Sequence, residues 1–208
     1  MTVFKKLSTF ALALLLFQST ALAQGAVRDY RRAHEHEILK EFIDLLALPN
    51  VASDRENIRR NAAALVSMMQ LRKLQPRLLE ASDPAAPPAV YGEWKTPGAT
   101  RTLVFYAHYD GQPTDPRQWT GSLPWEPVLR SGPLESGGKL LPAPKAGETI
   151  NPEWRLYGRS AADDKAGGMA ILTAFDAMIA SGVKPTSNLK FFFFSVKEKL
   201  EVGSWFHA

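Results

Sequence analysis

Residues 102–113 read TLVFYAHYDGQP, and this stretch decides how the surrounding sequence is interpreted. Its first half is an apolar run of the kind that forms a central strand covered on both faces. Its second half places His108 and Asp110 on either side of one tyrosine, where that strand should end. A second apolar run, LKFFFFSV at 189–196, predicts another buried strand further along the chain.

The segments around these two runs predict alternating helices and strands. Helices are predicted from the spacing of apolar residues at 27–49, 55–73 and 163–182. Further strands are predicted at 89–94 and 154–160, with a Pro97-Gly98 turn suggesting that 89–94 and 102–108 are neighbours. Residues 111–153 predict a long loop or a small hairpin excursion. We therefore expect an α/β fold with a mainly parallel sheet flanked by helices, and a site at the carboxyl ends of the strands.

The amino terminus has the pattern of a secretory signal peptide. Residues 1–23 contain two lysines, an apolar stretch and a small-residue end, Ala21-Leu22-Ala23. The alternative is an anchor helix that is not cleaved, although the apolar stretch is too short for a membrane span. The sequence therefore predicts a periplasmic or secreted protein with 24–208 as its mature part and no membrane segment after cleavage.

Composition limits the function classes further. Without Lys5 and Lys6, the 25 basic residues fall to 23 against 21 acidic ones, a net charge of +2. With no basic stripe interleaved with aromatic residues, nucleic-acid binding has little support. The sequence contains no cysteine, so an exported fold must rest on core packing or on a metal rather than on disulfides.

Two short segments carry residues suited to metal chemistry. His108 is a candidate ligand, and Asp110 could hold its second ring nitrogen and fix the tautomer. The alternative is a strand-end histidine hydrogen-bonded to a turn carboxylate. Asp163 and Asp164 lie in GRSAADDKAGG at the start of a predicted helix, where either could instead serve as a helix cap.

Together these segments resemble one known family. AHYDGQP, then LYGRSAADDKAGG, then NLKFFFF is similar to the zinc peptidases of the aminoacylase, carboxypeptidase G and carnosinase type, the peptidase M20 family, from about Asp29 to Phe194. The resemblance implies two zinc ions and hydrolysis of peptide or N-acyl amino acid amide bonds. It implies that His108 is a zinc ligand, that Asp110 orients it and that Asp163 bridges both ions. Asp164 would hold the loop geometry.

The resemblance weakens after the phenylalanine strand, where the chain reads SVKEKLEVGSWFHA. Counting from the strand places Glu198 at the family's metal-ligand position and Lys197 at its general-base position. Anchoring on Gly203-Ser204 places Glu201 and Leu200 there instead. Neither register has a glutamate as base, and the family's later ligands and lid domain would lie beyond residue 208. We therefore expect a truncated amino-terminal part of the catalytic domain with impaired activity, and a frameshift within 191–194 is one hypothesis for it.

Other interpretations remain open. His34 and His36 with neighbouring glutamates form a second candidate cluster, but their spacing places them on different helix faces and predicts a solvated surface. An alternative function is a non-catalytic α/β fragment that binds a metal weakly or binds a partner. A further possibility is an unstable fold, with LKFFFFSV as an exposed hydrophobic sheet edge. The substrate and the oligomeric state are not predicted.

Overall fold

The computed structural model describes residues 25–83, 85–145 and 147–195. Its helices are α1 (Glu35–Leu46), α2 (Arg55–Leu71) and α3 (Ala166–Ala180), and residues 25–33 form a further helical segment before a turn at His34. Its strands are β1 (Arg77–Leu79), β2 (Ala89–Trp94), β3 (Thr102–His108), β4 (Val128–Arg130), β5 (Leu140–Leu141), β6 (Arg155–Tyr157) and β7 (Asn188–Phe194). The predicted signal peptide at 1–23 lies outside the described residues.

The main sheet has four strands in the order β1-β2-β7-β3. Strands β3 and β7 are parallel along their whole length, from Thr102 opposite Asn188 to His108 opposite Phe194. The other two pairings, β1 with β2 and β2 with β7, are antiparallel. The α/β fold class is confirmed, whereas the expected mainly parallel arrangement applies only to the β3–β7 pair among the described strands.

The predicted neighbours β2 and β3 do not pair with each other. Strand β7 lies between them and bonds to both. It carries four consecutive phenylalanines, and burial of apolar surface favours the inner position for it. The Pro97-Gly98 turn therefore connects two strands that have β7 between them, and residues 189–194 of LKFFFFSV do not form a sheet edge.

One hydrophobic core forms on a single face of this sheet. Phe191 and Phe193 of β7 point into it and are each 1% exposed. The core also contains apolar side chains of all three helices, among them Leu45, Ile58, Ala62, Leu65, Met69, Met169, Leu172 and Phe175. Since side chains alternate across a strand, Phe192 and Phe194 point to the opposite face, where they are only half-buried.

The expectation that 102–108 is a central strand covered on both faces is wrong for the described sheet. Strand β3 lies at the edge of the order β1-β2-β7-β3. Three of its apolar side chains are exposed: Leu103 at 52%, Val104 at 61% and Tyr106 at 57%. The apolar run is therefore buried mainly at Phe105 and Ala107, which face the helices.

The segment between β3 and α3 is a small excursion, one of the two predicted forms. It contains an antiparallel sheet in the order β5-β4-β6. Arg130 of β4 is buried and donates to the carbonyls of Thr120 and Gly138 at 3.0 and 2.9 Å. These bonds tie the loops of the excursion to its sheet, so the chain returns to the main sheet in a defined place.

In the described part of the chain, no helix has the length and apolar character needed to cross a membrane.

Candidate functional site

The candidate site is centred on His108, the last residue of β3. Its ring Nδ1 lies 3.2 Å from Asp110 Oδ1, and its Nε2 lies 2.8 Å from Asp163 Oδ1. The two carboxylates thus contact opposite nitrogens of the same imidazole. Asp110 is 8% exposed, whereas the side chain of Asp163 is 87% exposed. The structure therefore brings together His108, Asp110 and Asp163 from two segments that are far apart in sequence.

The Asp163–Asp164 pair lies in a π-helical turn, Ala161–Lys165, that precedes α3. The peptide bond between the two aspartates is cis. Neither this turn nor α3 has a side-chain cap at its start, so the capping interpretation of Asp163 and Asp164 does not describe their contacts. The predicted helix start at 163 is also displaced, because α3 begins at Ala166. Asp164 Oδ2 instead accepts a hydrogen bond from the backbone N–H of His108 at 3.2 Å.

The two carboxylates determine the charge state of His108. Burial lowers the pKa of this histidine, but the hydrogen bond that its ring donates to Asp163 and the charges of Asp110 and Asp163 outweigh burial and raise the pKa above its ordinary value of 6.5. A protonated ring donates from both nitrogens, which matches the two contacts seen. The protonated, positively charged form of the His108 ring is therefore favoured between Asp110 and Asp163.

Two buried polar residues near the site had not been predicted. Lys165 is 2% exposed, and its Nζ donates to the carbonyls of Leu45 and Leu48 at 2.8 and 3.0 Å. Burial lowers the pKa of Lys165 to about 7, while the carbonyl acceptors at the carboxyl end of α1 favour its charged form. Asn50 is fully buried and contacts both site segments. The only sequence signal for Lys165 was its position directly after the aspartates.

The remaining predicted residues do not join this cluster in the described structure. Glu198 and Glu201, the alternative ligands, lie outside the described residues, as do Lys197 and Leu200. His36 Nε2 contacts the carbonyl of Glu148 at 2.7 Å. His34 stacks on Tyr30 at a centroid distance of 4.1 Å. Within 25–83, 85–145 and 147–195, no group of three or more His, Asp or Glu side chains has the arrangement of a metal site.

The donor types at His108 and Asp163 suit zinc. Zinc bonds to imidazole nitrogen and carboxylate oxygen are about 2.0–2.2 Å long, so two tetrahedral ligands lie about 3.3 Å apart. His108 Nε2 and Asp163 Oδ1 are 2.8 Å apart, so these two atoms would have to move apart by roughly half an ångström to bind one zinc ion. Asp110 on Nδ1 occupies the place of the carboxylate that orients a metal-bound histidine. The residues present therefore fit part of a zinc site.

Part of the chain matches a known protein family. The family model described as "Peptidase family M20/M25/M40" matches residues 104–204, which include both site segments. A comparison with curated protein sequences found no match.

Three solved structures share the fold. The dipeptidase Dug1p from Saccharomyces cerevisiae is 18% identical, with a TM-score of 0.65 over 84% of this chain and 35% of its own. Human carnosine dipeptidase 1 is 20% identical, with a TM-score of 0.62 over 87% of this chain and 36% of its own. The metallo-carboxypeptidase Sso-CP2 from Sulfolobus solfataricus is 26% identical, with a TM-score of 0.57 over 76% of this chain and 30% of its own. The chain thus spans about a third of the length of these structures.

Proposed function

We propose that the chain belongs to peptidase family M20/M25/M40, whose model matches residues 104–204, and that His108, Asp110 and Asp163 form part of a metal-dependent site that hydrolyses peptide or N-acyl amino acid amide bonds. One observation carries this proposal. The His108 imidazole is held between two carboxylates, one nearly buried and one open to solvent. The buried Asp110 is suited to orienting the ring, and the exposed Asp163 is suited to sharing a metal with it.

The roles of the individual side chains follow from their positions. His108 Nε2 and Asp163 would hold a zinc ion, and Asp163 would be shared with a second ion. Asp110 keeps the ring of His108 oriented through Nδ1, and Asp164 holds the end of β3 through the N–H of His108. Bound zinc supplies a Lewis acid that polarises the scissile carbonyl and lowers the pKa of water. Glu198, or Glu201 in the alternative register, would be a further ligand.

Small peptides and N-acyl amino acids are the proposed substrates. Dug1p and carnosine dipeptidase 1 are named as dipeptidases, and Sso-CP2 as a carboxypeptidase. We expect little hydrolysis by the chain itself, because neither sequence register places a glutamate at the general-base position. The alternative is a non-catalytic fragment that binds metal weakly or binds a partner, and zinc-dependent hydrolysis above the level of the His108→Ala variant would exclude it.

Export is the second part of the proposal. Residues 1–23 have the charged, apolar and small-residue order of a signal peptide. Expression in a bacterial host should yield a mature chain in the periplasmic fraction whose first residue is Gln24, identified by amino-terminal sequencing. Recovery of the chain with Met1 or Thr2 at its start, in the cytoplasmic fraction, would contradict export.

Metal binding is tested by calorimetric titration of the purified chain with Zn²⁺. We expect one weak site, because among the described residues only His108 and Asp163 would hold the ion, fewer protein ligands than the three or four usual for zinc. His108→Ala and Asp163→Asn should each weaken binding by tenfold or more. His36→Ala is the matched control, since the hydrogen bond described for this ring goes to the Glu148 carbonyl, outside the candidate site. Equal Zn²⁺ binding by the parent and the His108 variant would refute the proposed site.

Activity is measured with Zn²⁺ on dipeptides and N-acetyl amino acids. The expected result is hydrolysis at or near the level of the His108→Ala variant. Hydrolysis well above that variant would refute the expected impairment while supporting the proposed reaction class. Zinc binding at His108 without hydrolysis would leave the chain as a metal-binding fragment.

A further inference from the structure

Asn50, in the turn between α1 and α2, contacts both segments that carry the site. It is 0% exposed. Its Nδ2 donates to the carbonyl of Tyr109 at 2.9 Å, and its Oδ1 accepts from Ser160 Oγ at 3.3 Å. Its backbone carbonyl accepts from the N–H of Gly111 at 2.8 Å. Trp125 Nε1 also approaches Asn50 Oδ1, at 3.4 Å.

The partners of Asn50 lie directly beside the candidate site residues. Tyr109 stands between His108 and Asp110, and Gly111 follows Asp110. Ser160 begins the turn that contains Asp163 and Asp164. One side chain therefore bonds to the His108 segment through its donor and to the Asp163 segment through its acceptor. Among uncharged side chains, a carboxamide supplies both a donor and an acceptor in this fixed arrangement.

The environment of Asn50 is closely packed. Ser160 has a φ of +62°, a left-handed conformation that a serine adopts only at some cost. A Cβ at Gly111 would collide with Ser160 Oγ and would lie 3.0 Å from Asn50 Oδ1. The two site segments thus approach each other at Gly111 and Ser160 with Asn50 between them. Hydrogen bonds in such a buried place are stronger than in water.

We infer that Asn50 is a positioning residue that fixes the Asp163 segment against the His108 segment and thereby sets the separation of His108 Nε2 and Asp163 Oδ1. This role rests on the proposed function, but the positioning itself is a property of the chain without metal. Asn50 acts on the ligands through Tyr109, Gly111 and Ser160 and does not contact a reacting group.

The test compares Asn50→Leu with Asn61→Leu. Leucine is close to asparagine in size and removes all side-chain hydrogen bonds. Asn61 is the matched control because it is also 0% exposed and also makes buried side-chain hydrogen bonds, with its Nδ2 donating to the carbonyls of Pro49 and Asn57. Neither of those bonds reaches a site segment, so both variants lose buried polar contacts but only one loses the link between the segments.

The first measurement is amide hydrogen exchange at His108 by NMR. The His108 N–H donates to Asp164 Oδ2, a bond between the two segments that Asn50 does not itself make. Asn50→Leu should lower protection at His108 at least tenfold relative to the amides of α2, whereas Asn61→Leu should lower both together. Equal effects of the two variants on His108 would overturn the inference. If Asn50→Leu does not fold, Ser160→Ala is measured instead, and it should lower the protection of the His108 amide by a smaller factor than the tenfold expected for Asn50→Leu. Unchanged protection at His108 in Ser160→Ala would overturn the inference.

The second measurement is Co²⁺ titration, followed by the visible absorption of the ion. Loss of a residue that orients metal ligands weakens metal affinity by about 10–100-fold, so Asn50→Leu should bind Co²⁺ at least tenfold more weakly than Asn61→Leu. Unchanged affinity in Asn50→Leu would overturn the positioning of the ligands. If the parent chain binds no Co²⁺, the proposed function fails, and the exchange at His108 alone decides the role of Asn50.

Discussion

Gly111 is a residue at which the two site segments pack closely against each other. It follows Asp110 and donates its N–H to the Asn50 carbonyl. Its φ is not in the left-handed region, so the requirement for glycine is one of space. Ser160 Oγ occupies the place that a Cβ would take, and Asn50 Oδ1 lies behind it. A side chain here requires Ser160 Oγ to move or the Asp163 segment to shift away from β3.

We expect Gly111→Ala to destabilise the fold by about 1–3 kcal/mol, the usual cost of overpacking a closely packed place. Gly132→Ala is the control, because nothing lies within 4 Å of a Cβ at that position, and its effect should stay within about 0.5 kcal/mol. Urea unfolding followed by far-ultraviolet circular dichroism measures both. A Gly111→Ala variant as stable as the control would show that the segments can separate freely.

The residues of the site differ in how far sequence alone could identify them. His108 and Asp110 end a long apolar run, and Asp163 and Asp164 are adjacent acids among small residues, so their placement at one sheet edge was predictable. Asn50 and Lys165 were not, because their partners are backbone carbonyls from distant segments. Such contacts leave no spacing in the sequence, since a carbonyl acceptor is present at every residue.

At the scale of single elements, α2 shows how its start is stabilised. Asp54 precedes the helix and accepts from the Asn57 N–H at 3.2 Å and from the Asn57 side-chain amide at 2.8 Å. The side-chain hydrogen bond first, and the backbone one second, lower the pKa of Asp54 below its ordinary value. A carboxyl group with a depressed folded pKa stabilises the fold at neutral pH, and this stabilisation is lost as pH falls through the folded pKa.

We therefore expect Asp54→Ala to cost about 0.5–2 kcal/mol at neutral pH. The cost should shrink once the pH is below about 4, where the unfolded carboxyl group is already protonated and the folded one begins to be. Asp54→Asn is the control, because an uncharged cap should keep the same stability relative to alanine at both pH values. The free energy of unfolding in urea at neutral and acidic pH gives the comparison. A cost of Asp54→Ala that does not depend on pH would contradict a role for the carboxylate charge.

The phenylalanine run of β7 offers a comparison of the two sheet faces within one strand. Phe191 is 1% exposed and packs against Phe105 and Phe175 at centroid distances of 5.4 and 5.7 Å. Phe192 points to the other face and is half-buried. Phe191→Ala should cost about 3–5 kcal/mol, and Phe192→Ala at most about half of that. Thermal and urea unfolding of the two variants measure the difference. Equal costs would indicate that both faces are equally covered.

The elements themselves were largely predictable, whereas their order in the sheet was not. The bounds of β2 and β3 agree with the predicted strands, because apolar character and turn residues are local signals. Strand β1 was missed, since its three residues are all exposed and form no apolar pattern. The insertion of β7 between β2 and β3 depends on which apolar strand gains most from the inner position, a tertiary property.

At the scale of the whole molecule, the main sheet is covered unequally. The three helices share one core with Val90, Phe191 and Phe193 on one face. The other face carries an aromatic row in which Phe192 contacts Tyr91 and Phe194 at centroid distances of 4.8 and 5.8 Å. Tyr106 extends this row to β3 at 5.7 Å from Phe194. An apolar face that ends at an exposed edge strand favours association between chains.

Val104 is the position at which this association is most directly tested. It is 61% exposed on the edge strand, opposite Lys190 of β7 in the register. Val104→Glu adds a charge to the apolar face, which disfavours edge-to-edge pairing, and the new carboxylate can pair with Lys190 without destabilising the sheet. We therefore expect the parent chain to show concentration-dependent association in sedimentation velocity, and Val104→Glu to reduce it. Leu134→Glu is the control because Leu134 is 37% exposed in a short 3₁₀ turn outside the main sheet. Both substitutions add the same charge. If they reduced association equally, the effect would be one of net charge, and association would not depend on β3.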